Sequence, residues 1–296
     1  AALRAQAAAY CQRCLSLSQM DDDRAAFQDL VAASQHRRAH LPHRLALAVP
    51  SAAADSAALA AWLAGETHPA VAQGRVADGK PAKIGFVYPG QGGQWLGMGR
   101  QLFAQSDCFR QAFRAAAAAC AAAGCPELER LLLAGDAAAL APIDRMQPLL
   151  FSLQVALTRQ WADLGIAPRV VLGHSMGEAA AAVAAGALDL SSAARIITLR
   201  SRLMKRLAGQ GAMLVTALSY EEAVDLVADS DGSVAVAVSN SRRSTVLSGA
   251  SASLDRLAEQ LERRQVFTRR VKVDVASHGP QVDCLEIELK EALGEV

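Results

Sequence analysis

The chain has 296 residues, with 30 Lys+Arg against 29 Asp+Glu, a formal net charge of +1, and 52% hydrophobic residues. That balance excludes a global field favouring nucleic acid, and the apolar share is enough for a sizeable core. The opening AALRAQAAAY has no Met and meets a charge at Arg4, which is not a signal peptide, and no clean apolar run of about 18 residues predicts a membrane span.

The chain is therefore expected to be a segment of a longer polypeptide in a reducing, cytoplasmic setting. Residues 1 to about 34 read as helical, with DDD at 21–23 as a helix start. Cys11 and Cys14 form a CxxC there, but no second pair or His cluster completes a zinc site. They read as ordinary buried or half-buried thiols, and no metal is expected. HRLALAV (43–49) alternates as a short strand, SAAADSAALAAWLAG (51–65) is a helix, and GRVADGKPAK (74–83) is a polar Gly/Pro linker.

KIGFVYPGQGGQW (83–95) then runs from a strand into a glycine-rich loop, and helices are predicted around 99–123 and 147–163. RVVLGHSMGEAAAAVAAGA (169–187) is a strand, a turn and a helix, and SSAARIITLRSRLMKRLAG (191–209) a helix with a serine start. Alternating strands and helices predict a parallel α/β sheet. From 211 the segments AMLVTAL, YEEAVDLVAD, VAVAVSN, STVLSG, SLDRLAEQLERR and FTRRVKVDVA follow the order β-α-β-β-α-β, the split pattern of a ferredoxin-like unit inserted into the larger one. The expected divisions are 1–80, then 81–210 with 273–296 as the larger part, and 211–272 as the insert.

GHSMGE places Ser175 in a G-x-S-x-G between a buried strand and a helix, the setting of a nucleophile elbow. The alternative is a serine in an ordinary βα turn. The elbow presents Oγ at a helix N-terminus and leaves the Met176 N–H free for an oxyanion. The loop PGQGGQW matches no phosphate-binding pattern. Gln91 in it is a candidate second oxyanion donor, unless the loop is only a tight turn. Arg200 falls within the apolar stripe of Ile196, Leu203 and Leu207, whereas Arg195, Arg202, Lys205 and Arg206 face the other way. A guanidinium there needs a protein carboxylate or a substrate carboxylate. Among the histidines, His174 points away from Ser175, and His36, His40, His43 and His68 lie in the N-terminal segment. His278, past a strand end, is a base or a surface-loop residue.

PGQGGQWLGMG (89–99), GHSMGEAAAAVAAGAL (173–188), LRSRLM (199–204) and VDVASH (273–278), in this order, resemble the acyltransferase domain of modular type I polyketide synthases, related to malonyl-CoA:carrier-protein transacylases. RRAHLPHRLALAV…WLAGE resembles the ketosynthase-to-acyltransferase linker of those megasynthases. The resemblance implies an α/β-hydrolase-like large subdomain with a ferredoxin-like small one, preceded by a small α+β linker domain at 1–80. It implies Ser175 as acylated nucleophile, His278 as base, oxyanion donors at Gln91 and Met176, and Arg200 on the free carboxylate of a malonyl-type unit. It also implies that a backbone carbonyl from a segment further along orients the histidine. The substrate would be acyl-CoA, the acceptor a phosphopantetheine on an acyl carrier protein, and the other partners the adjacent ketosynthase and domains of the same polypeptide. No cofactor would be held by the domain itself.

In the family YASH accompanies methylmalonyl and HAFH malonyl. VASH here, with Ser277 in place of Phe and Val275 in place of Tyr, predicts an α-substituted unit, methylmalonyl first. Met176 departs from the Gln or aliphatic residues common beside the nucleophile and counts with Val275 and Ser277 as a specificity position. SNSRRS departs from the family's NGP at Ser241 and Arg242. A serine esterase or thioesterase is the rival reading, but it would want an acid partner for the histidine and has no use for Arg200. A non-catalytic docking segment would not need Ser175, His278 and Arg200 together.

Overall fold

The computed structural model describes all residues except 21, 22, 77–81, 231, 272, 274, 295 and 296. They fall into two units, Ala1–Ala82 and Lys83–Val296. Half of the expected linker, 77–81, lies outside the described residues.

In the first unit come α1 (Ala2–Leu17), α2 (Arg24–His36), β1 (His43–Leu47), α3 (Ala52–Ala64) and β2 (Val71–Arg75). Asp23 stands at the N-cap of α2; Asp21 and Asp22 lie outside the described residues. β2 went unread because VAQGR has no buried alternation; it forms by antiparallel pairing with β1, His43 against Arg75. Ser51 caps α3 by accepting from the Ala54 N–H at 3.3 Å. The CxxC serves packing: Cys14 is fully buried beside Leu17, Phe27 and Ala52, and the Cys11 thiol donates to the Ser56 carbonyl. Burial, with Asp55 adding to it, pushes the Cys14 thiol up to about 11, far from a reactive thiolate.

The second unit begins with β3 (Gly85–Tyr88), α4 (Arg100–Gln105), α5 (Asp107–Ala122), α6 (Leu128–Ala134), α7 (Ala137–Leu140), α8 (Ile143–Asp163), β4 (Val170–Gly173), α9 (Gly177–Ala185) and α10 (Leu190–Lys205). β3 and β4 pair in parallel, from Gly85 against Val170 to Tyr88 against Gly173. Phe109, Phe113 and Phe151 are fully buried in the core that joins these helices to the two strands. The continuous helix expected at 99–123 is two helices, because Ser106 leaves helical geometry and its Oγ accepts from the Phe109 N–H at 3.2 Å. The short helices α6 and α7 were not anticipated, and α8 starts before residue 147. Pro148 sits inside α8 without breaking it. The Asp144 carbonyl, which Pro148 cannot serve, accepts the Cys125 thiol instead.

The remainder holds β5 (Ala212–Thr216), α11 (Tyr220–Ala228), β6 (Val234–Ser241), β7 (Ser244–Gly249), α12 (Ser251–Arg263), β8 (Thr268–Arg270), a 3-10 turn (Pro280–Leu285) and α13 (Glu286–Leu293). Its sheet has the order β6-β7-β5-β8 with antiparallel neighbours. Leu214, Leu247, Leu254 and Leu261 pack between this sheet and its helices. β8 is shorter than the predicted 267–276. After Val271 donates to the Met213 carbonyl, Val273 N–H bonds back to Val271, and the chain leaves the sheet. Among the described residues, no helix is long and apolar enough to cross a membrane.

The α10 cap is Asp189 rather than a serine. Its carboxylate accepts from the Ser192 N–H at 2.8 Å and from the Ser191 and Ser192 hydroxyls at 2.7 and 2.9 Å, which holds its pKa down to about 2. A depressed folded pKa gives stability that is present above the unfolded carboxylate range and lost as pH falls toward the folded value. Asp189→Ala should lower the thermal midpoint near neutral pH, and the gap from the parent chain should close in melts run toward pH 2; a gap independent of pH would contradict this.

Candidate active site

The elbow is built by two close approaches. A Cβ on Gly173 would lie 2.3 Å from Glu178 Cα, and one on Gly177 would lie 2.1 Å from the Tyr88 carbonyl oxygen. The first glycine lets α9 fold back along β4; the second lets α9 abut the end of β3. Between them Ser175 takes φ +54°, a left-handed conformation costly for a serine. Surrounding backbone bonds hold it: His174 N–H to the Tyr88 carbonyl at 2.9 Å, and Gly177 and Glu178 N–H to the His174 and Ser175 carbonyls, both at 3.0 Å. Oγ thus stands at the N-terminal end of α9.

His278 meets it. Its Nε2 is 2.8 Å from Ser175 Oγ, and its own φ is +59°. The preceding Val275 and Ala276 are buried and the Ser277 N–H bonds to the Val275 carbonyl at 2.9 Å. On the other side, a Cβ on Gly279 would lie 2.8 Å from Gln281 Oε1 and 2.9 Å from Ser248 Oγ, so the chain after the histidine is gripped by β7 and the 3-10 turn. Burial lowers the His278 pKa below the ordinary imidazole value, Arg200 and His174 lower it further, and Glu178 opposes them. The ring is therefore neutral at neutral pH and able to accept a proton. His174 is exposed, lies against Gly90, and makes no hydrogen bond to Ser175 among the described residues.

Arg200 is half-buried and has no ion pair among the described residues; its Nη1 donates to Gln147 Oε1 at 2.8 Å. Desolvation lowers its pKa, with Glu178 pulling the other way. Leu203 and Leu207 of its stripe are buried while Ile196 is only half so; Arg195, Arg202, Lys205 and Arg206 are exposed. The sequence reading passed over Gln147. It is 4% exposed, and its Nε2 reaches Gln91 Oε1 at 3.5 Å, so one amide ties Arg200 to the glycine-rich loop. The signal was present in MQPLLF: a polar residue in an apolar helical run needs partners, the argument already applied to Arg200.

The backbone N–H groups of Met176 and Gln91 donate to no protein acceptor among the described residues. Gly90 holds their loop on the elbow, since a Cβ there would lie 3.0 Å from His174 Nδ1 and 3.6 Å from Ser175 Cβ. The specificity positions divide. The Met176 side chain belongs to the large core, Val275 is packed with Ile143, Leu203, Met204 and Leu285, and Ser277 alone is partly open. Among the described residues, no three His, Cys, Asp or Glu side chains gather as a metal site.

The family described as "Acyl transferase domain" matches residues 85–296. Polyketide synthase GfsE of Streptomyces halstedii is 41% identical over 244 residues, 80% of this chain and 6% of that synthase. A mycocerosic acid synthase-like polyketide synthase of Mycobacterium tuberculosis is 41% identical over 271 residues, 90% of this chain and 12% of the relative. The chain thus spans a small fraction of these curated relatives. The solved acyltransferase domain from module 8 of the salinomycin polyketide synthase superposes with a TM-score of 0.85 at 33% identity, covering 98% of this chain and 68% of that one. With the match taking in the elbow, the histidine and the arginine alike, the chain belongs to the acyl transferase domain family.

Proposed function

We propose that the chain transfers a malonyl-type extender unit, methylmalonyl first, from coenzyme A to the phosphopantetheine thiol of an acyl carrier protein, in a cytoplasmic polyketide or polyketide-type lipid synthesis. The observation that carries this reading is the 2.8 Å contact between Ser175 Oγ and His278 Nε2. His278 takes the Ser175 proton as Oγ attacks the thioester carbonyl. The negative charge gathers on the carbonyl oxygen, toward the N–H groups of Gln91 and Met176. The C–S bond breaks, and the proton on His278 goes to the departing CoA sulfur. In the second half His278 takes the carrier-protein thiol's proton, the thiolate attacks the acyl-serine, and the proton returns to Ser175. This is a ping-pong scheme with a Ser–His dyad.

Arg200 favours acyl units with a second carboxylate, because its fork lacks a protein carboxylate among the described residues. Half-buried Ser277 leaves room beside the acyl α-carbon where the family's malonyl pattern has Phe, while Val275 and Met176, both buried in separate core clusters, would bear on the choice of extender unit only through packing. We read β3, β4 and the helices around them as the α/β-hydrolase-like subdomain, 211–272 as ferredoxin-like, and 1–80 as the ketosynthase–acyltransferase linker domain. The strand order β6-β7-β5-β8 supports the second assignment.

Intact-mass analysis after incubation with methylmalonyl-CoA should show one acyl adduct, absent in Ser175→Ala; fast turnover of a neutral ester without such an adduct would favour the esterase reading instead. In competition, methylmalonyl-CoA should outpace malonyl-CoA by roughly 10- to 200-fold, the discrimination one methyl group supports. Protonated His278 cannot act as base, so acylation should fall as pH drops through its pKa, which lies below the ordinary imidazole value. Arg200→Ala removes a cation from beside it. Its pH–rate profile should shift toward higher pH, and selectivity for dicarboxylic over simple acyl-CoA should fall by about 10- to 100-fold. An unmoved profile with unchanged selectivity would return Arg200 to a structural role.

A further inference from the structure

Helix α8 carries Gln147, Gln154 and Thr158 at i, i+7 and i+11, one face of the helix. Their contacts run in order along the end of β3 and into the glycine-rich loop. Thr158 Oγ1 lies 2.8 Å from the Tyr88 hydroxyl and donates its single proton to the Gln154 carbonyl, so Tyr88 is the donor of the first bond. Gln154 Nε2 donates to the Pro89 carbonyl at 2.7 Å. Gln147 reaches the Gln91 side chain.

The middle contact falls where the loop direction is decided. Proline fixes its own φ, leaving ψ as the free rotation at Pro89. The Gln154 bond holds the Pro89 carbonyl and so restrains that ψ. Gly177 packs on the same carbonyl, since a Cβ there would come within 2.9 Å of it. Beyond lie Gly90, pressed on His174 and Ser175, and then Gln91. Past Gln91 the loop loses support, because a Cβ on Gly92 or Gly93 would meet nothing within 4 Å. The Gln154 amide makes this contact at a cost: its Oε1 is buried with no partner among the described residues.

We infer that Gln154 is a positioning residue for acyl transfer: by pinning the Pro89 carbonyl it sets the direction of the Gln91 N–H toward the thioester oxygen. This rests on the proposed oxyanion role of Gln91. An N–H that serves only the developing oxyanion acts in the transition state, so misaiming it lowers the rate of acylation rather than substrate affinity.

The test uses Gln154→Leu, which lacks the donor, and Gln154→Glu, whose carboxylate matches the shape but cannot donate when ionised. Time courses of the acyl-enzyme with methylmalonyl-CoA are read by intact mass, with thermal melts alongside. Both variants should acylate about tenfold more slowly at saturating substrate, with KM within about twofold of the parent value, the full fraction of chains finally acylated, and the melting transition kept. A packing role alone would instead reduce the acylated fraction or the melting temperature at an unchanged rate per active chain. Unchanged rates in both variants, or slowing that comes through KM, would overturn the inference; should the leucine variant not fold, the glutamate variant decides. Absence of an adduct on Ser175 in the unsubstituted chain would overturn the parent reading and this one with it.

Discussion

The hydrogen bond between Ser175 and His278 joins residues 103 positions apart, and both take left-handed backbone conformations that an L side chain resists. Neither conformation would persist in a free loop. Each is imposed by its surroundings: Ser175 by glycines packed on α9 and β3, His278 by the buried Val275–Ala276 pair on one side and by Gly279 on the other. Much of the second unit brings these two constrained turns face to face. The parallel pair β3–β4 sets the elbow, and the antiparallel sheet ends in a short β8 so that the chain can swing out and deliver the histidine.

The electrostatics around that bond follow from crowding. Burial acts first on His278, Arg200 and His174 lower its pKa further, and the exposed Glu178 opposes them. A guanidinium near a base normally weakens it. Here, with burial as the larger cause, it helps hold the His278 pKa below the ordinary imidazole value, and among the described residues the guanidinium itself has no carboxylate partner. Under the proposed function a second carboxylate would compensate that charge, which a neutral ester would not.

Much of this was legible in the sequence because it rests on steric necessity. Strand, G-x-S-x-G and helix are nearly sufficient to place Ser175, since no other residue type fits at Gly173 or Gly177. Arg200 stood out as a charge on an apolar stripe. Position after a strand left His278 open between a base and a surface-loop residue, and only the family resemblance made it the base; that strand proved shorter than its alternating pattern suggested. β2 was missed because its stability comes from pairing with β1 rather than from a buried face. The split at Ser106 was missed because helix-forming residues continue on both sides of a capping serine. The identity of the α10 cap depended on one carboxylate gathering three donors, which spacing alone does not reveal.

The amide ladder of α8 marks a different limit. Gln147 and Gln154 look alike in sequence, two glutamines on one amphipathic helix, and periodicity assigns neither a task. Their tasks diverge only because β3 ends where it does. The end of the strand brings Pro89 opposite one amide, and Gln91, with Arg200 across from it, opposite the other. A helix face thus acquires meaning from the loop it meets. If the donors are the backbone N–H groups of Gln91 and Met176, as proposed, then side chains that hold carbonyls bear on the chemistry along with those that would touch the substrate, because a backbone donor is aimed by fixing the peptide units around it.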